Sequence, residues 1–195
     1  MTPREVIKKA AADFRAAGIP DPEIDASLLL SHLTGLAPLM LRLDMDTTLA
    51  DHTLAAFDAL CRKRLERVPL QYMLGTQEFM GHTFHVDERV LIPRPETELL
   101  CELAINALQE KQNARVLDMC CGSGCLCVSI ALACPQAEVH GADLSEGALA
   151  VTKMNADALG ANVTLHQGDL FGSVQGEKFD VIVSNPNRTD RPDGA

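Results

Sequence analysis

The protein has 195 residues, of which 47% are hydrophobic and 23% are charged. This length accommodates one large or two small domains, and the composition is that of a packed globular protein. It excludes a disordered tail, a collagen-like chain and a small disulfide-stabilised scaffold. The net charge of −10 argues against a general nucleic-acid-binding protein.

The charge is distributed unevenly along the chain. Residues 1–75 contain nine Lys and Arg against ten Asp and Glu, whereas residues 76–195 contain eight against seventeen. The N-terminal part is therefore nearly neutral and the C-terminal part is acidic, which indicates two modules.

Seven cysteines are present, and five of them lie between residues 120 and 134. The number of cysteines is odd, no two of them form a Cys-x-x-Cys pair, and several lie in a glycine turn and at a helix start. These features favour small buried cysteines over a metal site. No signal peptide is apparent, and no apolar run reaches the ~18 residues that a membrane helix requires. We therefore expect a cytoplasmic protein with reduced cysteines that binds no membrane.

Residues 1–75 predict a helical bundle. Thr2-Pro3-Arg4-Glu5 is typical of a capping box with proline at the first helical position. Basic residues at 62–64 and 67 form one helix face, which is either solvated or a binding patch. Start and stop residues predict three helices and a turn: helices from Thr2 to Gly18, from Asp21 to Gly35 and from Asp51 to Pro69, and a turn at 38–43.

Residues 76–92 predict a β-hairpin linker. Segments 83–86 and 90–92 are short and rich in β-branched or aromatic residues, which is typical of strands. Gly81 and Asp87-Glu88 are the turn candidates.

From residue 93 onward, helical and strand patterns alternate. Helix 95–111 has an apolar face made of Leu99, Leu100, Leu103, Ala107 and Leu108. The other elements follow in order: strand 115–118, helix 125–134, strand 138–143, helix 145–159 and strands 163–165 and 179–184. This alternation predicts an α/β domain with a parallel sheet and right-handed crossovers.

Segment 116–124 joins a strand, an acidic residue and a glycine-rich turn that opens a helix. Gly122 and Gly124 let the backbone approach a ligand closely and adopt positive φ, and the helix start presents N–H groups. Asp143 follows the next strand, where a carboxylate accepts both hydroxyls of a ribose. The alternative is that Asp143 only caps the next helix.

Polar groups also follow the next two strands. Asp169 and the run Ser184-Asn185-Pro186 stand at those strand ends, where open α/β sheets bind ligands. The dinucleotide fingerprint requires glycine where this chain has Cys127, and Asp118 suits a cationic or amino-bearing ligand. S-adenosylmethionine carries both a sulfonium and an α-amino group, so it is favoured over a nicotinamide cofactor.

Four segments, in this order, resemble the release-factor glutamine methyltransferase (HemK/PrmC) family: residues 67–75, 91–98, 118–131 and 184–186. The resemblance extends from the N-terminus to about Pro186. It implies a helical domain over 1–75 that helps to recognise the release factor, the hairpin linker over 76–92, and a Rossmann-like class I methyltransferase domain over 93–195.

The resemblance implies methyl transfer from S-adenosylmethionine to the glutamine nitrogen in the GGQ loop of peptide-chain release factors, with no direct contact to nucleic acid. Asn185 and Pro186 are the implied catalytic residues. Their carbonyl groups can accept the two N–H bonds of the target amide, a poor nucleophile that then needs no strong base. Cofactor binding is implied for Asp118, Cys120, Cys121, Gly122, Ser123, Gly124, Asp143, Asp169, Leu170 and Asn185.

The chain departs from the family pattern inside its last motif. The family has Asn-Pro-Pro-Tyr where this chain has Asn185-Pro186-Asn187-Arg188, and residues 189–195 show no strand pattern. We therefore expect a domain truncated at its C-terminus, with strand 179–184 as an uncovered edge that promotes self-association or low stability. Catalysis is thereby placed in doubt.

Two alternatives remain open. One is an inactive remnant that binds only the cofactor or the release factor. The other, disfavoured by Cys127 and the Asn-Pro element, is a nicotinamide-dependent oxidoreductase. Binding of S-adenosylhomocysteine rather than NADH distinguishes a methyltransferase from the second alternative.

Overall fold

The structure is a computed structural model that describes residues 1–43, 47–109 and 111–186. The chain divides into two compact units, Met1–Leu74 and a second unit that begins at Gly75. Among the helices formed by the described residues, none has the length and apolarity needed to cross a membrane.

The first unit is helical. Its core consists of buried aromatic and aliphatic side chains, with Phe14, Leu29 and Phe57 almost fully enclosed. Its helices are α1 (Pro3–Ala16), α2 (Pro22–Thr34), α3 (Pro38–Leu43), α4 (Asp51–Leu65) and α5 (Leu70–Leu74).

Helix-capping residues set the bounds of the first two helices. The Thr2 side chain accepts the N–H of Glu5 at 3.3 Å, and the Glu5 carboxylate accepts the N–H of Thr2 at 2.9 Å. This is the predicted capping box. Gly35 ends α2 with a φ of +70°, which glycine adopts without steric cost.

Two predictions for this unit are wrong. Residues 38–43 form helix α3 rather than a turn, because Pro38 at its first position has its φ preset for a helix. Helix α4 has Ala50 at its N-cap position and Asp51 as its first residue, with no side-chain cap. It ends at Leu65, and Arg67, with a φ of +70°, turns the chain before the proline.

Half of the basic residues near the end of α4 have structural contacts. The Arg64 side chain donates to Asp25 Oδ2 at 2.7 Å and to the Val68 carbonyl at 3.2 Å. The Arg67 guanidinium donates to the carbonyl oxygens of Ala17 and Gly18. Two of the four cations therefore hold the unit together instead of forming an open patch.

The second unit begins with an antiparallel hairpin of β1 (Thr76–Phe79) and β2 (His82–His85). Phe79 and Phe84 are buried and pack edge to face, with ring centroids 6.1 Å apart. A hairpin is present, but it is not the predicted pair of strands: β1 was missed, β2 corresponds to the strand predicted at 83–86, and the strand predicted at 90–92 is wrong. Asp87 accepts the N–H of Arg89 at 3.0 Å in a turn, and Pro93 follows, so these residues form no ladder.

The main sheet confirms the predicted α/β fold. Four parallel strands stand in the order β5-β4-β3-β6. The strands are β3 (Arg115–Met119), β4 (Glu138–Asp143), β5 (Val163–Gln167) and β6 (Val181–Ser184). The helices are α6 (Pro95–Leu108), α7 (Cys125–Ala133), α8 (Glu146–Leu159) and the 3₁₀ helix Leu170–Val174.

Helix α6 buries only part of the predicted face, namely Leu108 and, in part, Leu100. Leu99 and Leu103 are 61% and 59% exposed, whereas Cys101, Ala104 and Leu108 are buried. Small side chains at 101 and 104 let the helix approach the sheet closely, and Leu99 and Leu103 are turned to the surface. The helix also ends at Leu108 rather than at residue 111.

Strand β6 pairs only with β3 among the described residues, and Ile182 is 49% exposed. The strand begins at Val181 rather than at 179, because the Phe179 ring packs instead against His140 and under the Arg115 guanidinium. The altered motif at 187–188 and residues 189–195 lie outside the described residues. Truncation, self-association and low stability therefore stay predictions.

Candidate functional site

A cavity of about 310 Å³ lies at the carboxyl edge of the main sheet. Turns after β3 and β4 form its floor, and the segment between β2 and α6 forms one side. In open α/β sheets this edge is where ligands bind. The cavity is lined by Thr97 and by residues of segments 89–93, 118–126, 143–148 and 185–186.

The loop after β3 has an unusual backbone. Cys120, Gly122 and Gly124 have φ of +64°, +57° and +79°. A Cβ at Gly124 would lie 2.6 Å from Thr152 Cγ2, so only glycine fits there. The N–H groups of Cys120 and Cys121 both donate to the Ala142 carbonyl, at 2.8 and 3.0 Å, which joins the loop to β4.

Two buried polar residues of α8 hold this loop. Thr152 Oγ1 donates to the Gly122 carbonyl at 2.9 Å, and Asn155 Nδ2 donates to the Ser123 carbonyl at 2.8 Å. Asn155 also accepts the N–H of His85 and donates to its carbonyl, at 2.7 and 3.0 Å. Sequence reasoning missed both residues, although polar residues three positions apart in an otherwise apolar helix pattern were the available signal.

Asp118 is a buried carboxylate with one oxygen available. It is 1% exposed, and its Oδ2 accepts the N–H of Cys127 at 3.1 Å in the first turn of α7. Its Oδ1 has no hydrogen-bond partner in the described part of the chain. Burial raises the pKa of Asp118 to about 7, against the lowering effect of the Cys127 bond. A cationic donor beside Oδ1 would satisfy both its charge and its lone pairs.

The position of Asp143 is compatible with both roles considered above, ribose binding and interaction with the N-terminus of the next helix. Its Oδ2 accepts the N–H of Gly122 and its Oδ1 accepts the N–H of Ser145, each at 2.9 Å. The cap of α8 itself is the Ser145 hydroxyl, which accepts the N–H of Ala148 at 3.2 Å. Since each carboxylate oxygen has two lone pairs, Asp143 still has one acceptor position per oxygen for a vicinal diol.

Asn185 stands at the cavity directly after β6. Its Nδ2 donates to Thr97 Oγ1 at 2.8 Å, and the neighbouring Ser184 hydroxyl donates to the Met119 carbonyl at 2.7 Å. Asn185 and Pro186 line the cavity together with Asp118. The structure therefore brings the two implied catalytic residues to the same site as the glycine loop.

Three residues implied in cofactor binding do not line the cavity. Gly124 is the N-cap of α7, and Asp169 is the N-cap of the 3₁₀ helix. Leu170 is exposed with a φ of +44°. The segment that contains Asp169 and Leu170 nevertheless adjoins the site, because the N–H of Gly168 donates to the Asp143 carbonyl at 3.1 Å.

The segment before α6 contributes residues to the cavity wall, namely Arg89, Val90, Leu91, Ile92 and Pro93. Leu144, directly after β4, also lines the cavity. Directly after segment 89–93, Arg94 is the N-cap of α6. Glu98 accepts the N–H of Met80 at 2.7 Å, which attaches the hairpin turn to the helix.

The cysteines of the loop and α7 are packing residues. Cys121, Cys125 and Cys127 are buried, and burial raises the pKa of Cys125 to about 12. Among the residues the structure describes, no group of three or more Cys, His, Asp and Glu could hold a metal ion.

Two family models match this chain. The PrmC N-terminal domain matches residues 5–75, and the methyltransferase small domain matches residues 97–190. The chain is 42% identical over 193 residues to the release factor glutamine methyltransferase of Chlorobaculum tepidum, which covers 93% of the chain. It is 44% identical over 174 residues to the protein of that name from Bordetella pertussis, which covers 88%.

The chain belongs to the release factor glutamine methyltransferase family. It spans 66% of the Chlorobaculum protein and 64% of the Bordetella protein. Among solved structures, a SAM-dependent methyltransferase from Agrobacterium tumefaciens matches with a TM-score of 0.48 and 23% identity, over 57% of this chain and 39% of that one.

Family membership indicates S-adenosylmethionine as the cofactor and decides against the nicotinamide alternative. The residues present fit that molecule. Asp118 Oδ1 is a buried acceptor in need of a cationic donor, and Gly122 in the loop lines the cavity with no side chain to keep a ligand away from the backbone. Asp143 retains two acceptor positions at the end of β4.

Proposed function

We propose that this chain transfers a methyl group from S-adenosylmethionine to the side-chain nitrogen of the glutamine in the GGQ loop of peptide-chain release factors. The observation that carries the proposal is the position of Asn185 and Pro186 in the cavity wall, with the Asn185 amide bonded to Thr97. Similarity to proteins named release factor glutamine methyltransferase supports the same substrate class. Release factors act on ribosomes, so the reaction belongs to the cytoplasm.

The cofactor side of the site follows from the donors and acceptors of the loop. S-adenosylmethionine, when bound, supplies an electrophilic methyl group on a sulfonium. In our proposal Asp118 Oδ1 accepts from its α-amino group and residues 120–124 lie along its methionine part. Asp143 accepts from the ribose hydroxyls, and Asp169 with Leu170 lies near the adenine.

The acceptor side relies on orientation. An amide nitrogen is a poor nucleophile because its lone pair is delocalised into the carbonyl group. Asn185 Oδ1 and the Pro186 carbonyl accept its two N–H bonds and direct the nitrogen at the methyl group. Holding the amide nitrogen and the methyl group in this geometry can account for a large part of the reduction in the activation barrier. No strong base is then required before the transfer.

Transfer of a radiolabelled methyl group to a purified release factor tests the proposal. We expect label in the wild-type factor and none in a factor whose GGQ glutamine is replaced by alanine. Asn185→Ala is expected to lower kcat by about 100-fold or more, the effect of removing a transition-state hydrogen-bonding group. Asn106→Ala is the matched control, since Asn106 is exposed on α6 and its side-chain oxygen accepts from the exposed Gln109 side chain.

Two results contradict the proposal. Label that persists in the alanine factor would assign another acceptor atom. S-adenosylhomocysteine binding without any transfer would identify the chain as a cofactor-binding protein that lacks catalysis.

A further inference from the structure

We infer that Thr97 is a positioning residue that fixes the orientation of the Asn185 side-chain amide, so that its oxygen and not its nitrogen faces the methyl acceptor. The inference rests on the proposed function, because it concerns the group that would hold the target amide. It assigns a role to a residue outside the glycine loop and outside the Asn-Pro pair.

A side-chain amide presents two different faces. Rotated by 180° about its last bond, Asn185 would offer an NH₂ donor where it now offers an acceptor. Two donors would then meet when the NH₂ group of a glutamine approached. Catalysis of this kind therefore requires one of two nearly isosteric rotamers.

The contact with Thr97 selects the required rotamer. Asn185 Nδ2 donates to Thr97 Oγ1 at 2.8 Å, which places the NH₂ group against α6 and leaves Oδ1 for the cavity. No described residue donates to that oxygen. The bond joins positions 88 residues apart, so it is a tertiary contact and not a local turn.

Both partners of the bond are anchored. Thr97 is 7% exposed, and its N–H donates to the Arg94 carbonyl at 2.9 Å in the first turn of α6. On the other side, Ser184 Oγ donates to the Met119 carbonyl of β3 at 2.7 Å, which fixes the backbone before Asn185. The Asn185 side-chain oxygen is thus oriented before any substrate binds. Polar groups that are already oriented lower an activation barrier because they need no rearrangement during the reaction.

The other polar residues of this turn do not share the role. Glu98 is committed to the Met80 N–H at 2.7 Å, and Glu96 is exposed. Thr97 alone of these three lines the cavity. A hydroxyl at position 97 is therefore the group that should matter, while the Thr methyl group only packs.

Thr97→Val removes the hydroxyl at constant shape, and Thr97→Ser keeps the hydroxyl and removes the methyl group. The first readout is the side-chain NH₂ signal pair of Asn185 in ¹⁵N–¹H spectra, identified by its loss in Asn185→Asp. We expect the wild-type pair to differ from that of exposed Asn106, to move toward the Asn106 positions in Thr97→Val, and to stay in place in Thr97→Ser.

The second readout is methyl transfer by the full chain. Thr97→Val is expected to lower kcat by about 10- to 100-fold, with an unchanged KM for S-adenosylmethionine and an unchanged affinity for S-adenosylhomocysteine. Thr97→Ser should restore kcat to near the wild-type value. A purely structural role would instead lower the melting temperature and the cofactor affinity together.

The inference is overturned if the Asn185 signals are the same in Thr97→Val as in the wild type, or if Thr97→Ser behaves like Thr97→Val in either readout. It is also overturned if cofactor affinity falls as much as kcat. Because the spectra need no substrate, they decide the inference even where the wild-type chain transfers no methyl group. That last result would contradict the proposed function alone.

Discussion

Gly124 combines a backbone conformation and a close contact that a side chain cannot tolerate. Its φ is +79°, and an added Cβ would meet the fully buried Thr152 at 2.6 Å. Thr152 cannot move away without losing its bond to the Gly122 carbonyl. The position therefore adds a steric requirement to the conformational one.

Gly124→Ala is expected to destabilise the second unit by more than the backbone cost alone. Gly160→Ala is the matched control, since Gly160 has a φ of +72° and no atom within 4 Å of an added Cβ. The control should cost about 1–2 kcal/mol, the penalty of a left-handed non-glycine residue. Urea unfolding of both variants measures the difference, and equal losses would show that the Thr152 contact is unimportant.

Asp118 makes cofactor binding dependent on pH. Its pKa is about 7 in the ligand-free protein because the carboxyl group is buried. A cationic amino group at Oδ1 favours the ionised form and lowers that pKa, so binding releases a proton below pH ~7. Affinity for S-adenosylhomocysteine should therefore rise between pH 6 and pH 8 and then level off.

Calorimetry in buffers of different ionisation enthalpy measures this proton release directly. Asp118→Asn should bind more weakly and release no proton over the same range. The same raised pKa predicts that ligand-free protein loses stability as the pH rises from 4 to 7, since the unfolded carboxyl group ionises near 3.8. A wild-type affinity that is flat from pH 6 to pH 8 would contradict this account of Asp118.

Among the elements, α8 has the widest influence on the site. Through Asn155 it holds both β2, at His85, and the glycine loop, at Ser123. Asn155→Ala leaves these backbone groups without partners, and an unsatisfied buried group costs about 1–3 kcal/mol.

Hydrogen exchange measures the effect of Asn155→Ala locally. We expect faster exchange in β2 and in residues 120–124, with α1 and α2 unchanged. Asn106→Ala should leave both regions as they are. Uniform acceleration across the whole chain would indicate general unfolding instead of a local attachment.

Elements with clear end signals were predictable from sequence. Strand β4 has the predicted bounds, and the helix predicted at 145–159 is α8, with Ser145 as its N-cap and Leu159 as its last residue. Strand β1 was missed because Thr76–Phe79 contains one apolar residue, and its pairing depends on the Phe79 contact with Phe84. The buried face of α6 was predicted only in part: Leu108 is buried as expected, whereas the small residues Cys101 and Ala104 were overlooked in favour of Leu99 and Leu103.

The site divides in the same way. The glycine turn and the Asn-Pro element are local patterns, so sequence reasoning found them. Thr97, Thr152 and Asn155 act through partners 88, 30 and 32 positions away, and no local pattern reports such distances. Only the folded arrangement distinguishes them from other polar helix residues.

At the scale of the whole molecule, the cavity belongs to the second unit alone. A ligand that binds the folded cavity stabilises that unit by mass action, by about 2.7 kcal/mol at a hundredfold excess over Kd. With S-adenosylhomocysteine we expect slower hydrogen exchange in segments 89–93, 118–126 and 143–148. Helices α1 and α2 should not change, and protection spread equally over both units would contradict a site confined to the second.

The Asn155 attachment also has a consequence for the order of folding. It connects residues 70 and 32 positions apart, and β3 at the centre of the sheet pairs with β6 from much later in the chain. Contacts between residues so far apart in sequence form late in folding, because the chain loses loop-closure entropy before these contacts can stabilise it. During synthesis the glycine loop therefore emerges well before the helix that shapes it, and the nascent second unit exposes apolar strands to which chaperones can bind.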